Sequence, residues 1–599
     1  MILPMSVGTP LTSPSDRQLV VGAFILMLVI YGSTSAQYLC DPDSGEFATL
    51  AATGGVAHPP GYPLYVLALR ALRWLPAIEP AHRASLITAL MAAANGPLLY
   101  RAARAWGASQ VASAIVTVAF LFAPLTWQLS TSPEVFALNV SIALALLTLA
   151  AKTPDDPRVA LRHAALLALL AGLGLSNHHT IVFLAPIGLF AWFTAARASK
   201  RPFAALAISI AALCVGLLPY AYLVYAARTS DSTTTWLWGD TRTFDGLLTH
   251  FLRREYGTLR FGATDAKPEI GAHLVMLLKM TVLDLRGIPL LALVGLAIAI
   301  RRSFTPATRA VRLAVRFRWF MLLTSLVVCG PLFVTRFNLA PRGLTGIVCE
   351  RFYLLPWAVL LVACARALDE CAVPTLRRMK WLLPAAVATT SAFLSFDTVR
   401  EYHRPTVSHY IHNVLTLVEP NAILLGGGDH RYGGFLYARL ALGERRDVAF
   451  VHPRLMLNSW YPGHAEALLG RSLTRAHNQS LNAAQLLREL LATHRPTYLT
   501  DWVIDDFRKT IPTYPIGPLM RVVEPGGFMP LPEQLYAMND KAFARFTLEP
   551  TRPQNLDSWK GDVFYTYARP WQSLAEAFGV QNPDRAETCR QRAERFASE

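Results

Sequence analysis

Between about residues 19 and 397 the chain is built of apolar blocks roughly 16–24 residues long, each sufficient to cross a hydrocarbon core as a helix. Backbone amides in lipid must find partners within their own segment, so a succession of such blocks has to fold as a helical bundle. Of 599 residues 53% are apolar and 16% charged, which favours a polytopic α-helical membrane protein over a string of soluble domains.

The first block is LVVGAFILMLVIYGSTSA, behind a Pro/Ser/Thr-rich segment, residues 1–18, read as disordered and cytoplasmic. Thr34 and Ala36 stand at small-residue cleavage positions, but the weakly basic start and the many later blocks favour a retained signal anchor. Further spans are expected near 84–100, 110–126, 135–151, 163–178, 179–196, 203–226, 282–300, 319–335, 352–368 and 381–397, about eleven in all. Residues 64–75, interrupted by Arg70 and Arg73, read as a helix lying at the interface.

Alternate loops carry the basic residues, including Arg101 and Arg104, Lys152 to Arg162, and Arg197 to Arg201. Cytoplasmic loops are enriched in Lys and Arg, which accounts for much of the formal net charge of +16 without nucleic acid as a partner. The first outer loop, residues 37–83, then faces away from the cytoplasm. The loops at 127–134, 227–275 and 336–351 and the SNHH corner fall on that same side. Arg253, Arg254, Arg336, Arg342 and Arg351 sit there against the topological bias, and an anionic ligand is one reason for that.

From about 398 to 599 the composition turns polar. NAILLGGGDH reads as a strand and glycine turn, YGGFLYARLAL as a helix, and RRDVAFVHP and RPTYLTD as further strands. This predicts an extracytoplasmic soluble α/β-type domain, ending in a pair of helices. GGGDH departs from the dinucleotide fingerprint, so such a cofactor is not indicated. No zinc-type cysteine spacing is present. Whether Cys40 and Cys349 pair is left open.

The first outer loop holds the densest chemistry: Asp41, Asp43 and Glu46 in DPDSGEF, then His58 and Tyr62 in the stiff HPPGYP turn. Two readings of Asp43 and Glu46 coexist, capping a helix that starts at DSGE or serving as reactive carboxylates. Glu134, at the outer mouth of a span, precedes Asn139. Asn177, His178 and His179 end another. Adjacent histidines do not share a helix face, so a two-histidine metal site is not expected and phosphate or sugar contact is. Trp236 and Trp238 suit either a sugar face or an interfacial aromatic belt, and Arg253 and Tyr256 follow them.

DSGE, GVAHPPGYPLY, EVFALN, GLGLSNHHT, REYG and ERFYLLP, in this order between about residues 40 and 360, resemble the DSGE/HPPGYP membrane family. Its animal member is a transmembrane-protein-260-type protein O-mannosyltransferase, and the family is similar to GT-C glycosyltransferases. The resemblance implies a polyprenyl-phosphate sugar donor and no cofactor or metal. On that pattern Asp43 is the general base and Glu46 a second acceptor-side or structural carboxylate, while the residues themselves suggest His58, Tyr62, Glu134, Asn139, Asn177, His178, His179, Trp238, Arg253, Tyr256 and Arg351 about the substrates. Asp41 has no counterpart in the motif. The implied reaction is inverting hexose transfer to Ser/Thr hydroxyls of exported proteins, in a bacterial inner membrane or endoplasmic reticulum. A lipid or polysaccharide acceptor is a rival reading. A flippase is another, disfavoured because the polar residues gather at the outer mouth rather than at mid-membrane.

Overall fold

In a computed structural model the protein is described over residues 14–40, 42–74, 78–258, 262, 266–302, 309–371, 381–473, 483–500, 511–524 and 526–596. Asp41 and residues 1–13 lie outside that set. The first helix begins at Pro14, inside the segment expected to be disordered. Its buried Asp16 accepts hydrogen bonds from Tyr100 Oη (2.7 Å) and Gln110 Nε2 (3.1 Å), which tie this end to the bundle.

Among the described residues, seven helices are long and apolar enough to cross a membrane. Two further pairs bend sharply, Gln110–Leu121 with Pro124–Ser130 by 67° and Ile270–Asp284 with Ile288–Ile298 by 91°, giving nine if each pair is one span. The expected count of about eleven fails to appear where apolar sequence is spent on internal packing. The 84–100 block is divided between Pro80–Ala93 and Asn95–Ala105. The 135–151 block forms Phe136–Ala150, largely buried, whose 15 residues reach only about 22 Å. The expected interfacial helix is Pro63–Arg70. It buries Tyr65, Val66 and Leu69, and Tyr65 meets the Thr88 hydroxyl at 2.7 Å.

The first outer loop is shaped by two short elements. The acid helix, Ser44–Thr53, is followed by β1 (Gly55–Val56), which pairs in parallel with β2 (Trp236–Leu237) from the long loop. A Cβ on Gly55 would lie 2.0 Å from the Trp236 carbonyl oxygen, so only glycine lets these strands meet.

Beyond the bundle lies a five-stranded sheet in the order β4-β3-β5-β7-β6. The expected strands are there: β3 (Ile423–Leu425) lies between β4 (Ala449–Val451) and β5 (Thr497–Leu499), all parallel. β6 (Thr513–Ile516) and β7 (Leu519–Val522) complete it antiparallel. The helices Arg569–Phe578 and Pro583–Glu594 form the closing pair. All seven cysteines are free, Cys40 and Cys349 included.

Sheet and bundle meet through glycine. The chain leaves β3 through Gly426–Gly428 and enters a helix, Asp429–Leu436, that crosses the acid helix. A Cβ on Gly45 would stand 2.4 Å from the Gly433 carbonyl carbon, and one on Gly433 would stand 3.2 Å from the Glu46 nitrogen. The backbones therefore touch where any larger residue would force them apart. Gly45→Val should lower stability by about 1–3 kcal/mol, the usual cost of overpacking. Gly463→Ala, with open space around its Cβ, should be neutral or slightly stabilising. Thermal unfolding in detergent checks the pair, and equal midpoints would contradict the contact.

Candidate active site

Asp43 occupies the position before the acid helix, yet its side chain makes no capping hydrogen bond. The capping reading of this residue is therefore set aside. Its carboxylate turns to Arg351, whose Nη1 donates to Asp43 Oδ2 at 2.5 Å and to Glu134 Oε1 at 2.6 Å. Glu134 lies in the break between the helices Pro124–Ser130 and Phe136–Ala150, with its side chain 1% exposed. One guanidinium nitrogen thus joins three segments distant in sequence. Taking two carboxylates out of water is tolerable only because the cation accompanies them. Burial by itself raises the Asp43 carboxyl, but the charge and hydrogen bond of Arg351, with the His58 charge, hold it below the usual range. Asp43 is thus ionised at neutral pH.

Glu46, expected as a second acceptor-side or structural carboxylate, has both oxygens occupied by protein donors. Its Oε1 accepts from the His58 backbone N–H (3.0 Å) and from Trp236 Nε1 (2.9 Å), and its Oε2 accepts from His58 Nδ1 (2.5 Å). Both oxygens are engaged, so the geometry makes Glu46 a holder of the HPPGYP turn. On the other side of the ring, His58 Nε2 meets the Tyr62 hydroxyl at 3.1 Å. Burial disfavours the imidazolium, but Glu46, then Asp43 and Asp429, outweigh it and raise His58 to about 9. His58 is accordingly a cation beside Asp43.

Tyr62 sits in the left-handed region (φ 43°), and its ring stacks on His178 with centroids 5.8 Å apart. His178 Nδ1 meets the Thr180 hydroxyl at 2.8 Å and accepts from its backbone N–H at 3.2 Å. Burial, with the nearby charges of His179, Arg253 and Arg351, keeps that imidazole neutral. The two histidines part ways as expected: His179 Nε2 meets the Tyr220 hydroxyl at 3.2 Å and its ring packs on Phe251. Asn139 and Asn177 tie the bundle together, bonding the Thr180 hydroxyl (3.0 Å) and the Val135 carbonyl (3.1 Å), rather than facing the carboxylates.

The long loop closes another side. Trp236 is fully buried against Tyr432, Trp460 and His464, which rules out an aromatic-belt role for it. Trp238 is half-buried, its ring 6.0 Å from that of His58, and its Nε1 shares Glu255 with Trp460 Nε1 (2.9 and 3.0 Å). Arg253 lies 5.1 Å over the Tyr256 ring, near enough for its charge to act on Tyr62 and His178. Of the other outer arginines, Arg342 makes a bidentate pair with Glu269 (2.8 and 2.9 Å) and Arg254 approaches Asp245 at 3.5 Å, both at the surface.

One residue of this site escaped the sequence reading. Asp429, in GGGDH, opens the helix that crosses the acid helix, and its charge is felt by His58, Tyr256, Asp43 and Arg351. The surrounding protein and the Asp43 charge push it up to about 6, against the pull of His58 and Arg351. Its side chain is open to solvent, so hydration weakens the first cause and leaves the Asp43 charge as the firmer one.

Bundle and polar centre together define an integral, multi-pass membrane protein of GT-C-like fold. Among solved structures, ArnT from Cupriavidus metallidurans bound to undecaprenyl phosphate aligns with a TM-score of 0.55 at 13% identity, covering 85% of this chain and 98% of that one. Its apo state aligns with a TM-score of 0.54. Residues 43–201 match the family model described as Protein O-mannosyl-transferase TMEM260 N-terminal domain. Protein O-mannosyl-transferase TMEM260 of Mus musculus is 29% identical over 456 residues, and the Dictyostelium discoideum protein of the same description is 23% identical over 484. Each alignment covers 74% of this chain, but the chain spans only 63% and 58% of those relatives' lengths. Over residues 43–201 the chain is thus similar to the N-terminal domain of the TMEM260 proteins.

The His58–Glu46 pair has a pH signature. A histidine raised from 6.5 to about 9 on folding stabilises fully below about pH 6.5, and that contribution is lost as pH rises through about 9. The thermal midpoint of the wild type should therefore exceed that of His58→Asn most at pH 6 and least near pH 10. A margin that widens with pH would contradict a cationic His58.

Proposed function

We propose that the chain is a membrane glycosyltransferase that moves a hexose from a polyprenyl-phosphate donor to Ser/Thr hydroxyls of exported proteins. The observation that carries this is the ionised Asp43, held at the edge of the bundle between Arg351 and His58 instead of capping its helix. The family match, the names of the two relatives and the undecaprenyl phosphate in the ArnT structure support the donor and acceptor classes. The positive-inside pattern supports an extracytoplasmic site.

In this reaction Asp43 takes the proton of the acceptor hydroxyl as its oxygen forms the new bond to the anomeric carbon. The bond from that carbon to the phosphate oxygen breaks, and the lipid phosphate leaves with the electron pair. A single in-line displacement inverts the anomeric centre. Arg351, with Arg253 and the His58 cation, stabilises the departing phosphate. The same step strengthens the base. A phosphate that draws N–H groups of Arg351 to itself weakens the contact that holds the Asp43 carboxyl low, so Asp43 becomes more basic when the donor is in place. Glu134 keeps Arg351 from following the phosphate out, and Glu46 keeps His58 pointed at the site. The residues seen supply charge stabilisation without a metal ion.

Asp43→Asn should lower sugar transfer to a Ser/Thr peptide by at least about 10²-fold, the usual worth of a general base. Membrane insertion and thermal midpoint should stay near those of the wild type. Transfer within about twofold of the wild type would remove Asp43 from the chemistry.

A further inference from the structure

The sheet beyond the bundle has a feature that its glycine turn alone does not explain. The chain leaves β3 for β4 on one side and returns as β5 on the other, so the carboxyl end of β3 is a switch point in the strand order. Crevices at such points are where open parallel sheets hold ligands. Here the helix that leaves this point packs on the acid helix of the bundle. Asp429 stands at the crevice entrance as the first residue of the Asp429–Leu436 helix. Gly433, four residues on, occupies the same helix face and touches the acid helix at Gly45 and Glu46. That shared face turns Asp429 toward Asp43 and Glu46. Among the described residues its carboxylate has no hydrogen-bond partner, although Asp43 and Glu46 beside it are both engaged, and it is open to solvent.

A carboxylate left open next to two engaged ones is suited to accept hydrogen bonds from hydroxyls, and poorly suited to a phosphate, which carries its own sign of charge. We propose that Asp429, supplied by the sheet region, is a substrate-binding carboxylate of the Asp43 site that takes a hydroxyl ligand, either of the transferred sugar or of the acceptor. The inference rests on the glycosyltransferase reading. It adds that the site is built jointly, with the bundle providing base and cations and the sheet providing a hydroxyl contact through the Gly45–Gly433 crossing.

The test uses the full-length protein in lipid nanodiscs and compares Asp429→Asn and Asp429→Ala with the wild type, since an amide retains some capacity to bond a hydroxyl. Two quantities are measured: affinity for a polyprenyl-phosphate hexose relative to the bare polyprenyl phosphate, and KM for a Ser/Thr peptide. Loss of a charged hydrogen bond predicts a change of about tenfold or more in one of them for the alanine variant. A fall in the affinity ratio assigns the contact to the sugar, and a rise in peptide KM assigns it to the acceptor. Bare-lipid affinity should stay within about twofold, which shows that the variant is folded. If both quantities stay within about twofold, or if both lipids weaken equally, Asp429 does not bind a hydroxyl and the inference fails while the glycosyltransferase reading stands. If the wild type itself neither distinguishes the two lipids nor transfers sugar to peptide, that reading falls and this one with it.

Discussion

One guanidinium nitrogen shared by two carboxylates, Glu134 buried and Asp43 largely so, is the constraint on which the site depends. Arg351 Nη1 lies 2.5 Å from Asp43 and 2.6 Å from Glu134, and those acids come from the first outer loop and from a break between two helices. Neither acid would be stable there alone, because an uncompensated buried charge costs several kcal/mol, on the order of 3–5 once its partner is removed. The cation fixes where the loop meets the bundle, and the excess of one negative charge leaves Asp43 anionic at the edge of the bundle. A residue whose conformation is set in this way cannot also cap its helix, which is why the helix start lacks a side-chain cap.

Around this triplet a second set of contacts fixes the neighbouring side chains. Glu46 spends both oxygens on His58 and Trp236, so the imidazole is cationic and aimed, and the indole is buried beneath it. Tyr62 bridges His58 to the neutral His178. Trp236 also reaches Tyr432, Trp460 and His464, so the long loop is clamped between the bundle and the sheet region. The candidate site thereby sits where three parts of the chain converge, each providing a different charge or hydrogen-bonding type.

Much of this was legible in the sequence, and the rest was hidden for physical reasons. The apolar blocks marked the spans because lipid leaves the backbone no other option, but block length alone does not separate a span from an internal helix such as Phe136–Ala150. The HPPGYP turn and the DSGE acids announced a built loop. The division of labour between Asp43 and Glu46 did not show, since it depends on Arg351 and Trp236, which lie 308 and 190 residues away from their respective partners. Likewise Asn139 and Asn177 carry the residue types of a ligand site while serving as bundle ties. Asp429 does not stand out in the sequence because it lies nearly 400 residues from the DSGE acids, in a GGGDH turn without a dinucleotide fingerprint. A usable signal was present in Gly45 and in the Gly433–Gly434 pair, glycines inside helices that otherwise have no reason to weaken themselves.

In the proposed reaction the lipid phosphate of the donor sits against Arg351, with Asp43 on the acceptor side of the anomeric carbon. A structure of the protein with polyprenyl phosphate bound in a nanodisc tests that placement most directly. The expected result is a phosphate oxygen within about 3.2 Å of an Arg351 guanidinium nitrogen, with the Asp43–Arg351 contact lengthened or broken. A phosphate seated elsewhere, with the Asp43–Arg351–Glu134 triplet intact and untouched, would contradict it.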